Sequence, residues 1–212
     1  LSKRPGWGTD FFAGKMKAKT SMQGMPLDDM LAQMADAGVE RAFLFAPKAG
    51  RKGLPGSFHL PYEIVARAIE KYPGRFYGLA GLDPFEGMHG VRALEDAVKN
   101  MGFIGAHLYP HWFDLPPDHA KYYPFYAKCC ELGVPIQMQV GQSMVYAKEQ
   151  PMRSVGRPIL LDGIACDFPE LKLIGIHVGI PWADEMIAMA WKHANVYIGS
   201  DAHSPKFWPQ GF

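Results

Sequence analysis

The sequence predicts an α/β fold, a parallel (β/α)8 barrel of the TIM type that is incomplete in this chain, and three observations predict it. Short runs rich in β-branched and aromatic residues alternate with amphipathic stretches from residue 26 onward. The runs begin at Val39, Phe76, Phe103, Val134, Leu171 and Val196, spaced 25 to 37 residues apart, close to the ~30 residues of a strand–helix–strand unit. The runs are almost wholly apolar, as parallel strands buried on both faces must be. Neither G-x-G-x-x-G after the first run nor G-x-x-x-x-G-K-[ST] occurs anywhere in the chain, which favours the barrel over a doubly wound nucleotide-binding sheet.

Each element follows from local chemistry. Residues 26–37 read as a helix, with Leu27, Met30, Leu31 and Met34 on one face, Asp28 and Asp29 in the first turn and Gly38 as the C-cap. Residues 39–46 (VERAFLFA) then read as a buried strand. A helix over 61–72 presents Tyr62, Val65, Ile69 and Tyr72, and the strand 76–82 (FYGLAGL) follows. Val91, Leu94, Val98 and Met101 mark a third helical face, with Glu95 and Lys99 paired on its outer side. A strand at 103–108, a helix opened by Pro124 and closed by Gly133, and a strand at 134–140 (VPIQMQV) come next. Residues 158–168 are helical, 171–178 (LKLIGIHV) form the clearest strand, 181–193 a helix, and 196–199 the last strand.

Six such units are expected to be barrel strands two to seven, with residues 1–25 an N-terminal extension or loop and 26–212 the partial barrel. A complete barrel typically needs about 250 residues, so the 212 residues, which begin with Leu1, are expected to be most of a larger barrel. Composition narrows the function classes. Nearly half the residues (48%) are hydrophobic and 22 Lys and Arg oppose 21 Asp and Glu, which excludes general disorder and gives no basic tract for nucleic acid. The apolar runs are strand-sized, so no membrane span or signal peptide is expected. Three cysteines, Cys129, Cys130 and Cys166, cannot all pair, and a reducing, cytoplasmic setting fits them.

Polar residues at the carboxyl ends of barrel strands face the active-site mouth. Those ends here hold Lys48, Asp83, His107 with Tyr109 and His111, Gln137 with Gln139, and His177. His177 ends an otherwise apolar strand and reads as a hydrogen-bonded core histidine, a general acid/base or a metal ligand. Strand alternation puts His107 and Tyr109 on one side, with His111 and Trp112 in the following loop. His177 and His107 are the candidate catalytic residues. Tyr109, His111, Trp112, Gln139 and Trp182 are the candidate substrate-binding residues.

Ser143 has Gly141 two residues before it, but Val145 stands where a nucleophile elbow needs the second glycine. Asp201 has the surroundings of a turn former, and His59, His89, His119, His193 and His203 read as surface residues. No H-x-H, H-E-x-x-H or Cys-rich spacing is present, so no metal ligands are assigned from motifs.

Three segments resemble a known family: 102–110 (GFIGAHLYP), 125–135 (FYAKCCELGVP), and above all 168–200, which follows the pattern FP-x-L-x-hydrophobic-x-x-H-x-G. They are similar to the amidohydrolase-related barrels (amidohydrolase 2), the aminocarboxymuconate-semialdehyde decarboxylase-like metal-dependent hydrolases. The resemblance implies a divalent metal, zinc or manganese, held by His-x-His on strand one, a His on strand five and an Asp on strand eight, with an acid/base His on strand six. It places His177 as that acid/base and Gln139 at the strand-five histidine position. Asp201 resembles the strand-eight aspartate but follows His177 by only 24 residues, where strand seven ends.

The implied function is hydrolysis of a cyclic or aromatic carboxylic compound in catabolism, with a small-molecule substrate and a possible homodimer. The alternatives are decarboxylation of an aromatic or muconate-type acid, and a metal-free barrel that binds a small molecule without turnover, which Gln139 favours.

Overall fold

The computed structural model describes residues 24–145 and 151–202, with 11, 14 and 208. The predicted extension 1–25 therefore lies almost wholly outside the described residues, as does His203. The chain runs α1 (Leu27–Asp36), β1 (Ala42–Ala46), β2 (Lys48–Ala49), β3 (Phe58–His59), α2 (Tyr62–Lys71), β4 (Phe76–Gly81), α3 (Gly87–Asn100) and β5 (Phe103–Leu108). It continues through α4 (Pro110–Phe113), α5 (Tyr123–Leu132), β6 (Ile136–Gln139), α6 (Leu161–Asp167), β7 (Leu173–Ile176), α7 (Ala183–Lys192) and β8 (Val196–Ile198). Short 3₁₀ turns at Ala120–Tyr122, Pro158–Leu160 and His177–Gly179 precede α5, precede α6 and follow β7.

Six strands form one sheet in the order β1-β4-β5-β6-β7-β8, and every neighbouring pair is parallel. That order is sequential and never reverses. A doubly wound sheet would reverse at a switch point, so the succession is that of a barrel wall, as expected. Among the described residues the wall does not close. Phe43 and Phe45 on β1 and Tyr197 on β8 remain 53%, 42% and 46% exposed, although strand register turns Phe45 and Tyr197 to the same inner face as His107 and Gln137.

Element ends move by one to three residues from the sequence expectation, each for a local reason. The strand read as 171–178 stops at Ile176 because His177, Val178 and Gly179 all take left-handed backbone, with φ of 67°, 57° and 73°. Gly133 closes α5 at φ 66°, where its N–H bonds the Cys130 carbonyl. The antiparallel β2–β3 pair and the four-residue α4 were not expected. Both are too short to show a periodicity.

The main core fills the space between the sheet and its outer helices. Leu94 of α3, Phe125 and Tyr126 of α5, Ala106 of β5 and Ile136 of β6 are all buried there. Glu95 and Lys99 pair at 2.5 Å on the outer side of α3, as their spacing predicts. Leu94→Ala is expected to cost about 2–5 kcal/mol through lost burial and the cavity left behind. A urea titration of the variant checks this, and a loss below about 1 kcal/mol contradicts it. A second cluster of Ala49, Trp112 and Phe113 caps the carboxyl ends of the strands, packed against Phe58, Tyr109 and Met152.

Candidate active site

Parallel register carries His107 of β5 beside Gln137 of β6, and Gln139 beside Ile176 of β7, one residue before His177. The polar residues thus gather at the carboxyl end of the sheet because successive strands are neighbours. His107 is 1% exposed, its ring stacked on Phe45 at 4.9 Å and edge-on to Tyr109 at 4.3 Å. Its Nδ1 donates to the side-chain Oε1 of Gln137 at 2.8 Å. With the proton on Nδ1, Nε2 holds a lone pair, and that atom is buried without a hydrogen-bond partner.

His111 has the opposite tautomer. It lies on α4 and is also 1% exposed, and its Nδ1 accepts the Val155 N–H at 3.1 Å. A neutral ring then has its proton on Nε2, a buried donor with no partner. The strand-like segment that supplies Val155 is pinned to the mouth by the Gly141 N–H donating to the Gly156 carbonyl at 2.7 Å. A side chain at Gly156 would meet His111 Cε1 at 2.8 Å and the Gln139 carbonyl at 3.0 Å, so this close approach requires glycine. The Gln139 side-chain oxygen is the third buried atom without a partner.

Burial holds both histidines far below their ordinary value of 6.5, to about 4 each, with the nearby His177 adding to the effect in both. Both rings are therefore neutral near pH 7. Burial, with the charge of Asp201, also raises the Tyr109 hydroxyl well above its usual range. The mouth presents an acceptor at His107, a donor at His111 and an acceptor at Gln139, all uncharged.

The His177–Asp201 pair lies beside them. His177 Nδ1 is 3.2 Å from Asp201 Oδ2, and the His177 backbone N–H donates to Asp201 Oδ1 at 3.0 Å. Burial alone would raise the Asp201 carboxyl, but these hydrogen bonds and the His177 charge hold it below the usual range. The left-handed His177 and Val178 store about 1–3 kcal/mol each. Asp201 and the Val178 N–H bonded to the Gly199 carbonyl at 3.0 Å hold that turn in place. Asp201 thus serves as the partner of His177 rather than as a turn former, a role the sequence reading missed. The adjacency of β7 and β8 was the signal that could have found it.

The remaining predicted residues divide. Trp112 is buried in the cluster that supports the mouth. Trp182 lies under the Arg157 guanidinium, 5.4 Å from its ring centroid, and Arg157 pairs with Glu185. His119 and His193, read as surface residues, have partners: His119 Nδ1 accepts the Lys121 N–H at 3.2 Å, and His193 Nε2 lies 2.6 Å from Asp162 Oδ1.

A divalent ion needs about three converging protein donors. Among the described residues, no three His, Cys, Asp or Glu donors converge around His177. Two groups converge apart from it, one beside the carboxyl end of β4 and one between α6 and the end of α7. In the first, Glu86 is bound to Lys48 at 2.5 Å, His59 Nε2 lies 2.6 Å from the Gly50 carbonyl, and Asp83 accepts the Phe85 N–H. The second is Asp162, Cys166 and His193. The described mouth residues do not by themselves fit a metal ion.

A family model described as amidohydrolase matches residues 7–212. A 2-keto-4-carboxy-3-hexenedioate hydratase from a Sphingobium species is 29% identical over 66% of this chain and 46% of its own length. A gamma-resorcylate decarboxylase from a Polaromonas species is 25% identical over 68% of this chain and 50% of its own length. The chain therefore spans about half the length of these curated relatives. Among solved structures, a TIM-barrel protein from Bordetella bronchiseptica superposes with a TM-score of 0.66 at 25% identity, covering 83% of this chain and 59% of the other. A dihydroxybenzoic acid decarboxylase from Polaromonas, solved with manganese and 2-nitroresorcinol, gives 0.63 at 19% identity, covering 90% and 68%.

Proposed function

Because the chain belongs to the amidohydrolase family, we propose that it supplies the acid/base and substrate-holding wall of an enzyme that decarboxylates a hydroxylated aromatic acid. The observation that carries this reading is the His177–Asp201 pair at the mouth. An imidazolium steadied by a carboxylate can deliver a proton to carbon. As the bond from ring carbon to carboxylate breaks, its electron pair stays on the carbon and takes the His177 proton, and carbon dioxide leaves. One proton is consumed per turnover, and water restores it to His177.

The uncharged atoms around the pair suit the rest of such a substrate. A ring hydroxyl can donate to His107 Nε2 or to the Gln139 oxygen, and a hydroxyl or carboxylate oxygen can accept from His111 Nε2–H. Phe45 and Tyr109 supply apolar surface beside them. Manganese in a related decarboxylase structure supports the zinc or manganese expected from the family. No step is derived through it, because the described mouth donors do not form its site.

Hydration of an unsaturated carboxylic acid is the second reading, favoured by the 29% identical hydratase; it uses the same proton transfer to carbon, with water as the added nucleophile. Hydrolysis of an ester or lactone would use the pair to activate water instead. A small-molecule substrate and a cytoplasmic setting complete the proposal. The three unpaired cysteines support that setting, and among the described residues no helix is long and apolar enough to cross a membrane. A homodimer rests on the resemblance alone.

The test is turnover of 2,6-dihydroxybenzoate and 5-carboxyvanillate in deuterated water, with and without manganese. Carbon dioxide release with one deuterium at the vacated carbon is the expected result. Failure to release carbon dioxide from either acid sinks the decarboxylase reading, and ring-opened or water-added products assign one of the others.

A further inference from the structure

We propose that Asp162, Cys166 and His193 form a binding site for a thiophilic divalent cation, zinc by preference, at the amino-terminal end of β7 and β8. This site lies at the opposite end of the strands from His177. One donor atom from each of the three residues lies within 4.8 Å of the other two. On a tetrahedral zinc, thiolate, imidazole and carboxylate donors stand about 3.4–3.6 Å apart, so side-chain rotation of about one ångström brings them into ligand geometry.

The local structure explains why they converge. Asp162 and Cys166 are four residues apart on α6 and share one face of that helix. His193 ends α7, and its imidazole is already oriented by Asp162, with Nε2 2.6 Å from Oδ1. Lys192 Nζ reaches the same oxygen at 2.6 Å, so one carboxylate oxygen gathers two positively polarised groups. Half of the Lys192 side chain is exposed, and it can swing to solvent when a cation replaces it. A cavity of about 420 Å³, lined in part by Ala165, Lys172, His193 and Asn195, opens beside the cluster and gives a hydrated ion a path.

The donor set selects the ion. A soft sulfur with an imidazole and one carboxylate suits zinc and not magnesium or calcium, which take oxygen shells. Binding releases the Cys166 thiol proton and leaves His193 neutral, so two negative ligands neutralise the cation. Three protein ligands leave the fourth position to water. The ion would tie α6 to the end of α7, the two helices that flank β7 in sequence. Its role is to hold the wall that ends in His177, independent of the chemistry proposed there.

Cobalt(II) titration of the metal-free chain tests this. One equivalent should produce a thiolate-to-cobalt charge-transfer band in the near ultraviolet and tetrahedral d–d absorption. Cys166→Ser should abolish the charge-transfer band, Cys130→Ser should retain it, and Asp162→Asn should weaken cobalt binding at least tenfold. Zinc at roughly 100 times its dissociation constant should raise the melting temperature by about 5–10 °C in the wild type, but not by way of this site in Cys166→Ser. Cys166 is exposed, so its serine variant keeps the fold, which far-ultraviolet circular dichroism verifies. Absence of the thiolate band in the wild type, or its persistence in Cys166→Ser, overturns the proposal whether or not the decarboxylase reading stands.

Discussion

His177→Ala is expected to lower kcat about 10²–10⁴-fold, the usual contribution of a positioned general acid/base, while KM changes by less than about threefold. Among the described residues, His177 is the one proton-transfer group at the mouth that is paired with a carboxylate. His107 and His111 are held neutral by burial. Asp201→Asn should lose about 10–10²-fold, because the amide oxygen can still accept the His177 backbone N–H now held by Oδ1 but no longer offers a charge to the imidazolium. Steady-state kinetics on both variants and the wild type, with circular dichroism to confirm folding, decides the matter. Unchanged kcat in His177→Ala removes His177 from the chemistry. Equal losses in both variants with a raised KM would assign Asp201 to substrate binding.

Stability should fall steeply between pH 6.5 and pH 4. His107 and His111 protonate near pH 6.5 when unfolded but only at about 4 in the folded protein. Above pH 6.5 neither state binds the proton, and the two rings have no effect. Below it the unfolded chain takes up protons that the folded chain refuses, and stability is lost as pH falls, levelling off below about 4. By pH 5 the loss is about 2 kcal/mol for each ring, a large fraction of a typical domain's 5–15 kcal/mol. Asp201 acts in the same direction, since its carboxyl is held below the usual range and its contribution fades as it protonates. Urea midpoints at pH 7.5 and pH 5.0 measure the effect, and His107→Gln should remove about half of the histidine part. Equal midpoints at the two pH values would show that the rings are hydrated in solution.

Much of the fold was legible because its causes are local. The helical stripe of Val91, Leu94, Val98 and Met101, the apolar run of β5 and the glycine after α5 each follow from spacing or backbone freedom, and each lies where the spacing puts it. The regular recurrence of these units also implied sequential parallel strands, and with them a common carboxyl end where His107, Gln139 and His177 meet. The left-handed turn at His177 and Val178 was not legible, because a β-branched valine is among the residues least suited to a positive φ and a single histidine does not specify one. It exists because Asp201 and Gly199 hold its backbone N–H groups from the neighbouring strand.

By itself the sequence determined that this chain builds consecutive parallel strand–helix units and places His177 at the end of one of them, since burial and periodicity are properties of short segments. Only the tertiary structure decided what each polar atom at the mouth can do. Whether His107 accepts and His111 donates depends on Gln137 and on the Val155 N–H, and whether His177 has a counterion depends on Asp201. These partners lie 24 to 44 residues away in the chain and meet only when the strands pair. A hydrogen bond sets a tautomer across about 3 Å of space, a distance to which spacing along the sequence is blind.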